Sequence, residues 1–252
     1  MSVYYSDDLV TLHHGRCEEI LPTLGVCADV CVTDPPYGET SLLWDRWPRG
    51  WPALVAAALP AATSMWCFGS MRMFLEQRDE FKDWRLSHEV IWKKPRGGMA
   101  HRDRFVREHE YALHWYRGAW GDVHHQQQRT ERLGVDKGSV HRGETGPAWN
   151  GSRRANSWTD DGTRGMSALL TAPNMRMRGI HPTEKPTAIL EPLIRYACPM
   201  GGTVLDPFAG SGSTLEAARS TGRHSIGVEA SEAYCEVIAT RLAQGSLFGS
   251  AS

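Results

Sequence analysis

The stretch Thr203-Val204-Leu205-Asp206-Pro207-Phe208-Ala209-Gly210-Ser211-Gly212-Ser213-Thr214 constrains the fold more than any other part of the chain. Its first four residues predict a short apolar strand, and Ser213 to Ser220 predicts a helix opened by hydroxyl residues. Between them Gly210 and Gly212 allow close backbone approach, so a cofactor fits over the helix start. The dinucleotide fingerprint is incomplete, because Leu215 stands where a third glycine belongs, and no GKT or GKS is present to make a triphosphate loop. About fifteen residues on, Ser225-Ile226-Gly227-Val228 ends in Glu229. An acidic residue at the end of the next strand is where a ribose diol is gripped; the same carboxylate also suits the N-terminus of the helix predicted from Ser231 to Leu242.

A second strand end carries chemistry. The run Ala28-Asp29-Val30-Cys31-Val32-Thr33 leads into Asp34-Pro35-Pro36-Tyr37. The exocyclic amine of a nucleobase is a poor nucleophile, since its lone pair is delocalised into the ring. The Asp34 carboxylate and the Pro35 carbonyl are each suited to accept one of its N–H bonds, drawing the nitrogen toward tetrahedral geometry. Pro36 stiffens the turn and brings no competing donor, and the Tyr37 ring suits stacking on the base. Positioning and electrostatics then suffice for in-line attack on an activated methyl group, without a metal or a covalent enzyme intermediate. Alone, the tetrad also reads as a Pro-Pro turn closing a strand.

The tetrad, His181-Pro182-Thr183-Glu184-Lys185-Pro186 and the glycine loop, in that order, resemble the beta group of S-adenosylmethionine-dependent DNA amino-methyltransferases. Trp44-Asp45, Ile91-Trp92-Lys93-Lys94-Pro95 and His109-Glu110-Tyr111-Ala112-Leu113 extend the resemblance over most of the chain. It implies a Rossmann-like α/β fold: a circularly permuted mixed sheet flanked by helices, with an inserted target-recognition region. It also implies roles. Asp34, Pro35, Pro36 and Tyr37 would handle a flipped base. Asp34, Asp206, Phe208, Ala209, Gly210, Ser211, Gly212 and Ser213 would line the S-adenosylmethionine site, with Glu229 on the ribose and His181, Thr183 and Lys185 toward the methionine end. Without the other motifs, His181 to Pro186 reads as a proline-punctuated loop whose Pro186 starts a helix. Where the family shows Gly-Asp-Cys, this chain has Gly15-Arg16-Cys17, so Cys17 would contribute a backbone group and an acidic contact to the adenine is missing at Arg16.

Charge is distributed unevenly. Residues 93–185 contain 17 Lys plus Arg against 10 Asp plus Glu, an excess of seven positive charges, whereas the whole chain carries −1 and the remainder therefore −8. A basic insert on an acidic body suits phosphate binding and predicts salt-sensitive affinity, with Lys93, Lys94, Arg96, Arg104, Arg153 and Arg154 as DNA-binding candidates; a merely solvated surface has the same composition. Trp120, Gln126 to Gln128, Trp149, Asn150, Asn156 and Trp158 interleave with this charge and suit stacking on or reading bases.

The 252 residues suffice for one such domain. Expected boundaries are 1–116 for the catalytic part, 117–179 for the recognition insert, 180–243 for the cofactor part and 244–252 for a disordered tail. Predicted helices are Glu18–Leu24, Trp51–Leu59, Met71–Phe81 and Pro186–Tyr196; predicted strands are Val10–His13, Ser64–Phe68, Leu86–Trp92 and Tyr111–Tyr116. Six cysteines without paired spacing read as reduced thiols of a cytoplasmic protein, and Cys27 and Cys31 make no zinc site. No apolar run is long enough to span a bilayer, and residues 1–8 are not a signal peptide.

The expected activity is methyl transfer to the N6 amine of adenine in double-stranded DNA by base flipping. Transfer to N4 of cytosine is the alternative, disfavoured because cytosine enzymes of the group more often carry Ser in place of Asp34. Cytosine-5 chemistry lacks its Pro-Cys nucleophile, since Cys198-Pro199 has the reverse order. A decayed protein that binds DNA and cofactor without transfer is the non-enzymatic alternative. The resemblance also admits a homodimer and a cognate restriction endonuclease.

Overall fold

The computed structural model describes residues 2–42, 44–94, 103, 105–131, 139–140, 158–159, 161–172 and 184–248. In chain order the elements are β1 (Ser2–Ser6), β2 (Val10–His14), α1 (Cys17–Leu24), β3 (Val30–Thr33), α2 (Trp51–Ala58), β4 (Thr63–Gly69), α3 (Met71–Glu76), β5 (Arg85–Lys93) and β6 (His109–Arg117). They continue with β7 (Arg129–Glu131), β8 (Ser139–Val140), β9 (Trp158–Thr159), β10 (Thr163–Gly165), β11 (Leu169–Thr171), α4 (Thr187–Ala197), β12 (Thr203–Asp206), α5 (Ser213–Ser220), β13 (His224–Glu229) and α6 (Glu232–Phe248). The chain divides into two compact units, residues 1–126 with 168–252, and residues 127–167. In the second unit β7 pairs antiparallel with β10, and β8 with β9.

The larger unit is built on a nine-stranded sheet in the order β1-β2-β13-β12-β3-β4-β6-β5-β11. The strands from β2 to β4 run parallel, while β6 is antiparallel to both β4 and β5. This is the mixed, permuted α/β sheet expected from the motif order: β12, late in the chain, lies beside β3, early in it. Both β3 and β4 are buried along their whole length. Alternation then sorts their side chains between two cores. Cys31, Met65 and Cys67 face one side with Ile20, Leu21, Trp51, Val55, Phe74 and Phe81. Val30, Val32, Trp66 and Phe68 face the other with Ile189, Leu190, Leu193 and Ile194. A third cluster joins Val10 and Leu12 to Leu215, Ile238 and Leu242 under α6.

Four elements differ from the expectation. The chain opens with β1, Ser-Val-Tyr-Tyr-Ser, a strand not among those expected although its Val-Tyr-Tyr centre has β propensity, and it adds antiparallel to β2. The helix expected over 71–81 ends at Glu76 and resumes as a 3₁₀ turn at Arg78–Phe81, where the Glu80 carboxylate accepts the Gly50 N–H at 2.7 Å and Phe81 is buried against Trp51 and Trp115. Within the stretch expected as an insert, β11 extends the main sheet parallel to β5, and the Trp92 indole donates to the Ala172 carbonyl at 3.1 Å. At the C-terminus α6 continues to Phe248, so 244–248 are helical rather than tail; 249–252 lie outside the described residues. No helix among the described residues is long and apolar enough to cross a membrane.

Candidate active site

Parallel neighbours β3 and β12 deliver the two motifs side by side at their carboxyl ends, where the loops of an open α/β sheet form a crevice. The Thr33 hydroxyl donates to Asp206 Oδ1 at 2.8 Å, joining residues 173 apart in sequence. Asp206 also accepts the Phe208 N–H at 3.1 Å. Burial pushes its carboxyl up to about 6, against the opposing pull of Thr214, Thr33 and the Phe208 N–H.

A cavity of about 490 Å³ opens at this junction, a volume suited to a nucleoside-sized ligand. Of the cofactor candidates, Cys17, Asp34, Lys185, Asp206, Phe208, Ala209, Gly210, Ser211, Ser213 and Glu229 line it. Gly212 does not. Its φ is +77°, it precedes α5, and a Cβ there would lie 2.9 Å from Ile238 Cγ2, so its smallness serves the packing of the loop on α6. His181 and Thr183 lie outside the described residues, as do Arg96, Arg104, Arg153 and Arg154.

The carboxylate of Glu229 is held from both sides. Its Oε2 accepts the Gly210 N–H at 2.9 Å, and its Oε1 accepts the Ser231 N–H at 2.8 Å. Glu229 thus lines the cavity and also accepts an N–H at the entry to α6. Burial raises its pKa, with these backbone donors pulling the other way. Beside Cys17, Glu18 also lines the cavity; its carboxylate accepts from Arg16 at 2.9 Å and from the Cys17 thiol at 3.3 Å. An acidic group therefore lines the cavity two residues after Arg16. The lining fits S-adenosylmethionine: carboxylates for hydroxyls and amines, and an aromatic face at Phe208.

Around the tetrad, charges alternate. The Tyr37 hydroxyl donates to Asp34 Oδ1 at 2.6 Å, and the Lys185 ammonium pairs with Asp34 Oδ2. Burial first, and Asp34 next, raise the Tyr37 phenol well above its ordinary value, so it is a persistent donor. Lys185 also lies 3.4 Å from Glu110 Oε2, while Glu110 Oε1 pairs with Lys94. The Glu110 side chain is only 13% exposed. Burial disfavours its charge, but Lys185 and Lys94 outweigh burial and hold its carboxyl below the usual range. The adjoining Glu184 accepts from Arg241 at 2.8 Å, and Arg241 reaches the Ser211 carbonyl at 3.2 Å, which fastens the Lys185 segment to α6 and the glycine loop.

Two further residues of the site, Asp45 and Glu110, have roles that the sequence does not reveal. Buried Asp45 accepts the Gly38 and Thr40 N–H groups at 2.8 and 2.7 Å, fixing the loop after the tetrad. Glu110 sits at the start of β6; the Trp44-Asp45 and His109-Glu110 segments are visible in the sequence, but spacing alone does not bring them to Asp34. Lys94, expected on the DNA-facing surface, has a side chain 15% exposed and is committed to Glu110 and the Trp92 ring. Lys93 is exposed. Among the described residues no cluster of three or more His, Cys, Asp or Glu is placed to hold a metal.

The profile of the DNA methylase family of N6/N4 methyltransferases matches residues 28–241. The chain is 26% identical to the type II methyltransferase M.ScaI of Streptomyces caespitosus, over 95% of this chain and 83% of that protein. It is also 26% identical to type II methyltransferase M2.LlaDCHI of Lactococcus lactis subsp. cremoris, over 98% and 94% respectively. In fold it is similar to M1.HpyAVI solved as a SAM complex, with TM-score 0.62, 22% identity and coverage of 92% of this chain and all of that one. The cytosine-N4-specific PvuII DNA methyltransferase is similar at TM-score 0.59 and 16% identity, covering 95% and 88%. With strand order and motif order in agreement with the profile match over 28–241, the chain belongs to the N6/N4 family of DNA methyltransferases.

Proposed function

We propose that this enzyme transfers the methyl group of S-adenosylmethionine to the N6 amine of adenine in a short sequence of double-stranded DNA. The observation that carries this reading is the Asp34 carboxylate, set on a proline-stiffened turn at the mouth of a nucleoside-sized cavity walled by Glu229 and the glycine loop. S-adenosylmethionine supplies a methyl group on a sulfonium, which is activated toward a nitrogen nucleophile. The chain's own work is alignment. Asp34 and the Pro35 carbonyl accept the two amine hydrogens, so the nitrogen lone pair turns out of the ring plane and toward the methyl. Tyr37, anchored through its hydroxyl, fixes the Asp34 rotamer and offers its ring to the base.

A paired adenine does not reach Asp34 within the helix, so the base leaves the stack, at a cost of about a few kcal/mol. Basic residues between 93 and 185 meet the phosphates that flank it. The aspartate, rather than serine, at position 34 favours adenine. Expression in a methylation-deficient host followed by modification-sensitive single-molecule sequencing of the genome tests this. N6-methyladenine at one recurrent motif, absent with Asp34→Ala, is the expected result. N4-methylcytosine at such a motif would transfer the assignment to cytosine, and binding of cofactor and DNA without any mark would remove the enzyme reading.

A further inference from the structure

We infer that Glu110 is a positioning residue that serves as a second seat for the Lys185 ammonium, receiving it when the amine of the target base takes over Asp34. The inference rests on the proposed role of Asp34 and adds a residue to it. Both Asp34 oxygens are engaged by the protein itself, Oδ1 by Tyr37 and Oδ2 by Lys185. The base amine needs an acceptor there, so one of these donors has to give way. Tyr37 is tied to the turn that carries Asp34. The lysine ends a flexible four-carbon stem.

Glu110 is built to take that lysine. Its Oε2 is buried and has no hydrogen bond of good geometry among the described residues, although Lys185 Nζ stands only 3.4 Å away. Closing to a charge-assisted bond requires a shift of roughly half an ångström. Its other oxygen is committed to Lys94, so the carboxylate stays fixed while one acceptor waits. The base of the lysine is fixed as well, through the Glu184–Arg241 pair. In the second seat Glu110 lies between the Lys94 and Lys185 ammonium groups, and Asp34 keeps hydrogen-bond donors in Tyr37 and the base amine, so no buried charge is left without a partner. As the sulfonium–methyl bond breaks to leave a neutral thioether, the amine nitrogen would gain the methyl and positive charge and then lose a proton to Asp34 and on to water; the move draws a cation away from that nitrogen and from its acceptor.

The test is a double-mutant cycle on the full-length enzyme, using a duplex that carries the motif found by genome sequencing. Glu110→Gln is expected to lower kcat about tenfold or more while the Kd for S-adenosylmethionine, read by calorimetry, stays within about twofold. Lys185→Met removes the occupant, so adding Glu110→Gln to it is expected to cost no further activity, because the two act as one unit. Glu110→Asp retains the charge on a shorter stem, is expected to fold even if the amide variant does not, and should show an intermediate kcat with unchanged cofactor Kd. Wild-type kcat in Glu110→Gln or Glu110→Asp, or losses that multiply in the double variant, would overturn the inference. Activity of wild type with any of these results leaves the methyltransfer reading standing; a wild type that transfers no methyl while binding both ligands removes that reading first.

Discussion

Two neighbouring strands end in the same step, aspartate followed by proline, and the structure uses the two aspartates in opposite ways. After β3, Asp34 projects into the cavity mouth, where Lys185 and Tyr37 hold it. At the end of β12, Asp206 turns back into the protein, 2% exposed, and accepts from Thr33 and the Phe208 N–H. The residues immediately downstream set the two apart. Pro35-Pro36 gives the first turn no backbone N–H to offer, so the Asp34 carboxylate takes side-chain partners instead, Tyr37 from the end of the turn and Lys185 from far along the chain. Phe208 and Gly210 curl the second loop over its own aspartate, which becomes part of the wall. A shared strand-end motif thus fixes where a carboxylate sits, while the next few residues fix whether it meets substrate or scaffold.

Neutralising each aspartate without changing its shape puts this contrast under the greatest stress. Asp34→Asn is expected to lower kcat by about 10²–10³-fold, the scale seen when one aligned polar group is lost from a reacting centre. Its melting temperature and cofactor affinity should change little. A small loss of kcat with a large loss of cofactor binding would place Asp34 on the scaffold side.

Asp206→Asn should do the reverse, acting on stability in a pH-dependent manner. With its folded pKa near 6 against an ordinary 3.8, Asp206 in the native state holds a proton between those values that the unfolded chain has lost. Its stabilising contribution is therefore full at low pH and lost as pH rises through 6. The interval from 3.8 to about 6 corresponds to about 3 kcal/mol at most. The stability of Asp206→Asn minus that of wild type, from urea unfolding, should move in favour of asparagine by up to about that amount between pH 4 and pH 7. A flat difference would mean that the buried carboxylate is better compensated than its surroundings suggest.

His114 supplies the opposite slope and tests whether the sign is read correctly. It is fully buried between Trp66, His88 and Tyr196, and neither ring nitrogen has a hydrogen bond among the described residues. Burial first, then His88 and His125, lower its pKa to about 3. Below 6.5 the unfolded chain takes up a proton that the folded one refuses, so stability falls as pH falls. His114→Phe should flatten that acid limb by about 1 kcal/mol per pH unit below about 6, measured by the same unfolding series.

Much of this arrangement was legible in the chain. The fully apolar runs at Val30 and Val204, each ended by Asp-Pro, located the two central strands, and the glycine loop located the cavity wall. The order of the motifs specified a permuted sheet, because the tetrad precedes the cofactor loop. The hidden part depends on contacts across the sheet. Glu110 and Lys94 lie on or beside antiparallel partners whose pairing no local pattern specifies, and a lysine beside a tryptophan reads as surface until its carboxylate appears. The break at Gln77 was hidden for a similar reason, since the group associated with it, the Gly50 N–H, comes from another helix entry.

The smallest effects separate the two glycines of the loop that cradles Asp206. Gly212, at φ +77°, has Ile238 2.9 Å from where a Cβ would be, so Gly212→Ala should cost about 2–3 kcal/mol through left-handed strain and displacement of α6. Gly210, at φ +53°, has only the Phe208 carbonyl at 3.7 Å, so Gly210→Ala should cost about 1 kcal/mol from backbone strain alone. The new methyl would lie on the cavity wall, and the Gly210 N–H would still be called on to hold Glu229. Cofactor Kd should therefore weaken several-fold in Gly210→Ala, out of proportion to its modest loss of melting temperature, whereas Gly212→Ala should lose more stability per unit of affinity. Parallel melting and calorimetric titrations of the two variants read both quantities. Equal ratios of affinity loss to stability loss would show that the loop yields as one piece, and that the division between the residue lining the cavity and the residue packing behind it does not hold.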